Sequence, residues 1–186
     1  EVWKMLEKHF STEDRGEIRE RLGMGFLAGV VRNPDPRWIE RSQETAHGSA
    51  IVHPDGVYET EWGVRKVWDD TGTYERYVYH PLSDPENFGR YEFPSLDAPG
   101  VWDGFGERVQ KLKETEVVSA PIPTFYRWGW EVRGMEAFLC DIALESKELI
   151  WVLDMLEEYH VELARRYGQM GVEVVSIWGD LAMQTT

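Results

Sequence analysis

The sequence contains almost no cysteine: among its 186 residues, only Cys140 carries a thiol. A single thiol excludes an internal disulfide and a zinc site built from several cysteines within this stretch. We therefore expect a reducing, cytoplasmic location. Cys140 falls in the middle of a predicted helix, and we interpret it as an inert, packed side chain.

Basic side chains are also few. Lys and Arg number 20 against 34 Asp and Glu, which gives a formal net charge of -14. Nucleic acids and anionic membranes are bound by clustered Lys and Arg, so neither is an expected partner. No apolar run approaches the roughly 20 residues of a membrane span, and the first residues do not have the basic and apolar segments of a secretion signal.

No glycine-rich phosphate-binding fingerprint follows any predicted strand, which disfavours a dinucleotide-binding fold. Three apolar runs of strand length, at residues 24–31, 117–122 and 172–178, alternate with helical patterns. Alternation of this kind predicts parallel βα units, hence an α/β barrel or a doubly wound sheet. Between them, residues 51–81 carry aromatic and β-branched residues around two turn signals, and this pattern predicts an antiparallel three-stranded meander.

The last predicted strand leads directly into Gly179-Asp180. Ligands of parallel α/β proteins bind at the carboxyl ends of the strands, so Asp180 is the main catalytic candidate. Its alternative role is to cap the next helix. Gln184 is either a polar contact in a pocket or an exposed side chain. Because a buried strand requires neighbours and a covering helix, we expect the chain to be the central part of a larger barrel, truncated at both ends.

The segment 123–134 is predicted to be a loop beyond the carboxyl end of the second strand. Four of its side chains are candidates for binding a substrate, with the indoles excluding water and the guanidinium holding a carboxylate: Trp128, Trp130, Glu131 and Arg133. Alternatively, the tryptophans only cover the rim and Glu131 pairs with Arg133 or Arg127. His80 is a candidate ligand or base, or else a packed loop residue. We expect His160 to be buried on an outer helix, far from the strand ends.

Several short motifs, in order along the chain, resemble those of the uroporphyrinogen decarboxylase superfamily, which includes corrinoid-dependent methyltransferases. The motifs that carry this resemblance are Arg21-Leu22-Gly23-Met24, Glu61-Trp62-Gly63, His80-Pro81-Leu82, Gly134-Met135-Glu136 with Phe138-Leu139-Cys140-Asp141, Tyr167-Gly168-Gln169-Met170-Gly171 and Val174 to Gln184. The earlier motifs are similar to the methyltransferase-like branch.

The resemblance implies a partial TIM (β/α)8 barrel over residues 1–186, with the meander at 51–81 as an insertion. It implies an enzyme with a small-molecule substrate that moves a methyl group between a methylated donor and a corrinoid or thiol, with a corrinoid protein as a partner. The alternatives are decarboxylation of a porphyrinogen and a barrel that only binds a small molecule. Zinc ligands of the methyltransferases lie beyond this sequence, so no cofactor is expected in the chain itself. Family members often carry two acids where this chain has Gly179-Asp180, which puts a two-carboxylate role in doubt.

Overall fold

The computed structural model of the chain describes residues 2–23, 27–45, 48–69, 71–72 and 74–179. Its helices are α1 Val2–Phe10, α2 Arg15–Arg21, α3 Pro36–Ile39, α4 Phe105–Leu112, α5 Phe125–Arg133, α6 Met135–Leu144 and α7 Lys147–Gln169, with a short 3-10 turn at Pro85–Asn87. Its strands are β1 Leu27–Gly29, β2 Gln43–Thr45, β3 Gly48–Val52, β4 Tyr58–Glu59, β5 Arg65–Trp68, β6 Glu75–Tyr79, β7 Val117–Pro123 and β8 Val174–Trp178.

A three-stranded parallel sheet forms in the order β1-β7-β8. Leu27 is paired with Val117, and Ser119 with Val174, so neighbouring strands in the sheet follow one another in chain order. Helices α4 and α7 pack on the central strand β7, whose residues from Val118 to Ala120 and Ile122 are buried. The predicted parallel βα arrangement is therefore confirmed, whereas the strands that the structure describes do not close a barrel.

The second sheet is antiparallel and has five strands in the order β2-β3-β4-β5-β6. The prediction of three strands between residues 51 and 81 was wrong in number, since the sheet begins at Gln43 and its middle strand is divided in two. Few residues of the first hairpin are β-branched or aromatic, so its sequence gave little strand signal. The division falls at Gly63, whose φ of +70° permits a turn that other residues rarely adopt.

Most of the segment 123–134 is helical, as α5 Phe125–Arg133, and the prediction of a loop there was wrong. Thr124 caps the helix by accepting a hydrogen bond from the backbone N–H of Arg127 at 3.2 Å. Gly129 lies inside the helix, where glycine and several aromatic residues weaken the local helix signal. Helix α2 is capped by Asp14, whose carboxylate accepts hydrogen bonds from the N–H groups of Gly16 and Glu17.

Helix α7 has 23 residues and is therefore about 34 Å long, roughly twice the length of the five-residue strand β8 that follows it. Ser146 caps its first turn and Gly171, at φ +89°, follows its last, in line with the usual preference for serine before a helix and glycine after it. The carboxyl-terminal half of the helix packs along the parallel sheet. Its middle, near Tyr159 and His160, consequently lies level with the carboxyl ends of the parallel strands.

None of the helices in the described part of the chain is both long and apolar enough to cross a lipid bilayer.

Candidate functional site

Arg32 lies three residues beyond the end of β1 and is the charged centre of the site. Its guanidinium binds both carboxylate oxygens of Glu61, at 2.9 and 3.0 Å, and donates to the phenol oxygen of Tyr159 at 2.6 Å. The two charged side chains are only 9% and 14% exposed. A buried, two-pronged ion pair therefore joins the parallel sheet to the antiparallel sheet and to α7.

Aromatic rings surround this ion pair. Trp62 follows Glu61 in the turn before β5 and packs edge-to-face against Trp128 of α5 and Tyr159 of α7. Burial raises the pKa of the Tyr159 phenol, so this hydroxyl stays neutral near pH 7. We call the six residues at this level the edge cluster: Arg32, Glu61, Trp62, Trp128, Tyr159 and His160.

His160 completes the edge cluster and is 6% exposed. Its ring stacks on Phe125, with centroids 4.9 Å apart, and lies 5.9 Å from the ring of Trp128. Neither ring nitrogen has a hydrogen-bond partner among the residues that the structure describes. Burial lowers the pKa of His160 to about 4, so the imidazole is neutral at pH 7. The predicted burial is confirmed, but the predicted distance from the strand ends is wrong, because α7 extends well past the sheet.

A cavity of about 330 Å³ opens beside the edge cluster, on the side of the segment that follows β1. We call it the rim cavity. Its walls are formed by four aromatic side chains, four carboxylates and two arginines: Trp38, Trp62, Tyr91 and Phe93; Asp35, Glu59, Glu61 and Glu92; and Arg37 and Arg41. Its volume is within the range of small-molecule sites, which is roughly 300–1,000 Å³.

The carboxylates of the rim cavity are paired with basic side chains. Hydrogen bonds from Arg37 lower the pKa of Asp35 to about 2, so this carboxyl is ionised throughout the neutral range. Arg37 also reaches Glu92 at 3.3 Å. Glu59 is bound by Arg65 at 2.7 Å, and Glu61 by Arg32 as described above.

A second polar group lies where α5 meets the antiparallel sheet, and it contains three of the predicted substrate-binding residues. Glu131 accepts hydrogen bonds from Arg127 and from the phenol of Tyr77, both at 2.8 Å. The ring of Trp130 packs edge-to-face on Tyr77, and Nδ1 of His80 lies 2.7 Å from the backbone oxygen of Glu131. The alternative in which Glu131 pairs with Arg127 is therefore confirmed.

Arg133 is buried and bound by the protein itself. Its guanidinium donates to the carboxylate of Asp141 at 2.7 Å and to the backbone oxygens of Leu82 and Ser83 at 2.7 and 2.9 Å. These bonds fasten α5 to α6 and to the segment after β6. Cys140, on the same helix as Asp141, is exposed, so the prediction of a packed thiol was wrong.

The predicted site residues thus fall into separate groups. Trp128 belongs to the edge cluster, Trp130, Glu131 and His80 belong to the second polar group, and Arg133 joins helices. Asp180 and Gln184 lie outside the described residues, so their catalytic and binding roles stay predictions. Sequence reasoning overlooked the ion pair of Arg32, although an arginine directly after the predicted strand at residues 24–31 was a usable signal.

Within the described ranges, no three His, Cys, Asp or Glu side chains converge to hold a metal ion. The residues that the structure describes therefore do not provide the ligands of a zinc site.

Comparison with protein-family models, with curated proteins and with solved structures found no match to this chain.

Proposed function

We propose that the chain is part of a methyl-transferring enzyme of the uroporphyrinogen decarboxylase superfamily and that its substrate enters the rim cavity. The observation that carries this proposal is the position of the cavity. It adjoins the residues that follow β1, next to the buried pair of Arg32 and Glu61, at the end of a parallel sheet where ligands of α/β enzymes bind.

The order of the parallel strands supports the barrel part of the proposal. In a (β/α)8 barrel each strand pairs with the strands that precede and follow it, and β1, β7 and β8 are paired in that order. The antiparallel sheet lies in the connection between β1 and β7, as expected for an insertion after the first of these strands. In this proposal, the three parallel strands belong to three βα units of such a barrel.

The residues of the edge cluster would act through rigidity and exclusion of water. Arg32 is held by Glu61 and Tyr159, and the indoles of Trp62 and Trp128 pack edge-to-face against each other beside this ion pair. A dry wall protects a reactive methyl donor from hydrolysis. His160 is neutral near pH 7, because burial lowers its pKa to about 4, and its ring stacks on Phe125.

Methyl transfer to a thiol has a simple balance of atoms and electrons. The methyl group passes from the cobalt of a corrinoid to the thiolate sulfur, the electron pair of the cobalt–carbon bond stays on cobalt, and the thiol proton goes to solvent. The chain's part would be to bind the partners and align them, which alone supplies a large share of the barrier reduction in bimolecular transfers.

The test is an assay of the complete gene product with methylcobalamin and a small thiol, followed by the visible spectrum of the corrinoid. We expect conversion of methylcob(III)alamin to cob(I)alamin in step with thioether formation. In the Asp180→Asn variant the rate should fall by about 100-fold or more, with unchanged circular dichroism, if this carboxylate moves a proton.

Two other outcomes would reject the proposal. Release of carbon dioxide from uroporphyrinogen, without methyl transfer, would identify a decarboxylase; the four carboxylates of the rim cavity oppose this because they repel a polycarboxylate. Tight binding of a small molecule without turnover, unaffected by Asp180→Asn, would identify a barrel that only binds.

A further inference from the structure

We propose that the rim cavity binds a flat, mainly apolar molecule that carries a single carboxylate, with Arg41 as its counter-ion. The inference rests on the proposed function only in taking this ligand as the substrate; the binding itself follows from the cavity. Three features of its walls lead to this ligand class: the free guanidinium, the aromatic side chains and the pairing of the acids.

Among the described residues, Arg41 is the arginine of the cavity that has no bonded partner. No carboxylate or carbonyl oxygen lies within bonding distance of its guanidinium among the described residues, whereas Arg37 is bound to Asp35 and Glu92. A planar guanidinium with free donors recognises a planar carboxylate through two parallel hydrogen bonds.

The aromatic walls suit the flat body of such a ligand. Trp62 and Phe93 pack edge-to-face, with centroids 5.6 Å apart, and Tyr91 lies against Phe93. The hydroxyl of Tyr91 donates to the backbone oxygen of Trp62, so this polar group is already satisfied and the rings contribute apolar surface to the lining. Trp38 contributes a further ring to the lining, and its indole Nε1 is a buried donor without an acceptor in the described part of the chain.

The acids of the cavity restrict the ligand to one negative charge. Asp35, Glu59 and Glu61 each have an arginine bound to them, so they neither need nor attract a cationic ligand. Glu92 is 81% exposed at the mouth and would repel a second anionic group. A monocarboxylate avoids this repulsion and still neutralises Arg41.

The experiment is equilibrium dialysis of the complete gene product against radiolabelled benzoate, the simplest flat monocarboxylate. Unlabelled competitors separate the parts of the inference: benzamide keeps the ring without the charge, cyclohexanecarboxylate keeps the charge without the flat ring, phthalate adds a second carboxylate, and benzyltrimethylammonium reverses the charge. We expect benzoate to bind saturably and every competitor to displace it more weakly than unlabelled benzoate does.

Two matched variants test the counter-ion. Arg41→Gln should weaken benzoate binding by about 10- to 100-fold, the usual effect of one charge-assisted pair. Arg90→Gln removes another exposed arginine, one that does not line the cavity, and should change the affinity by less than about twofold. Both side chains are at the surface, so both variants should fold, which circular dichroism checks.

The inference fails if benzoate does not bind saturably, if benzamide or the ammonium competes as well as unlabelled benzoate, or if the two arginine variants lose the same affinity. Its failure is distinguishable from that of the proposed function. Benzoate binding that depends on Arg41, together with no methyl transfer, rejects the function alone; methyl transfer without such binding rejects the ligand class alone.

Discussion

The two ends of the parallel sheet differ in the kinds of side chain that they bury. At the carboxyl end the ion pair of Arg32 and Glu61 is 9% and 14% exposed, and a neutral histidine is buried beside it. At the amino end the nearest counterpart, Lys113 with Glu173, is 33% and 41% exposed and 4.0 Å apart, and the interior holds apolar and aromatic side chains such as Leu163 and Tyr167.

This difference separates stability from chemistry. Apolar burial at the amino end stabilises the sheet without any need for exact partners, at about 25 cal/mol per Å². Buried charges at the carboxyl end carry a desolvation cost that only good geometry offsets, so they contribute little to stability as a pair. Buried charged groups are common at functional sites, and the rim cavity lies next to this buried ion pair.

The largest expected effect comes from breaking the buried ion pair. Arg32→Met leaves the carboxylate of Glu61 buried without its partner and should lower the free energy of unfolding by about 3–5 kcal/mol, measured by urea denaturation with circular dichroism. Lys113→Met at the amino end should cost less than about 1 kcal/mol, because its pair is in contact with water.

A double variant sharpens this result. Arg32→Met with Glu61→Gln removes both charges, and we expect it to recover at least half of the loss. Equal losses for Arg32→Met and Lys113→Met would show that the two ends do not differ as described.

The second prediction compares one glycine near each end of the sheet. A Cβ at Gly129 of α5 would lie 2.5 Å from two ring carbons of Phe138, which is 2% exposed, so Gly129→Ala should destabilise the protein by about 2 kcal/mol. Gly168 lies in the last turn of α7, near the amino end of the sheet, and has open space around it. Gly168→Ala should therefore stabilise the protein by about 0.5–1 kcal/mol. Thermal and urea denaturation of the two variants would refute this if the signs were the same.

The third prediction concerns pH and His160. The pKa of this buried side chain is about 4 in the folded protein, below its ordinary value of 6.5. Between these values the unfolded chain binds a proton that the folded chain does not, so stability falls as the pH drops below about 6.5 and is unaffected above it. At about pH 5.5 the loss is roughly 1.4 kcal/mol relative to pH 7.5.

His160→Phe removes this contribution and serves as the control. The unfolding free energy of the protein minus that of the variant should be roughly 1.4 kcal/mol lower at pH 5.5 than at pH 7.5. The other titrating groups contribute equally to both proteins and cancel in this difference. A difference that is constant with pH would mean that His160 is not buried as described.

The sequence predicted local structure better than it predicted the site. The caps of α7 at Ser146 and Gly171 and the strand β7 follow from patterns within a few neighbouring residues. Helix α5 could not be recognised in this way, because Gly129 lowers the local helix propensity. The reason for a glycine at this position lies in the next helix, where the ring of Phe138 leaves no space for a Cβ. The partners of Arg32 are 29 and 127 residues away, so their meeting depends on how the two sheets and α7 pack.

The smallest effect is expected where the two ends of the sheet are alike, in how their helices are capped. Thr124 caps α5 through its hydroxyl, so Thr124→Ala should cost about 1 kcal/mol and Thr124→Ser much less. At the amino end Gly171 follows α7 at φ +89°, and Gly171→Ala should cost a similar 1 kcal/mol or so because the left-handed conformation strains other residues. Urea denaturation of the three variants measures these losses in the free energy of unfolding. A much larger loss for Thr124→Ala would mean that this hydroxyl supports the strand ends around Gly179 as well as the helix, and the contrast between the two ends would then extend to their caps.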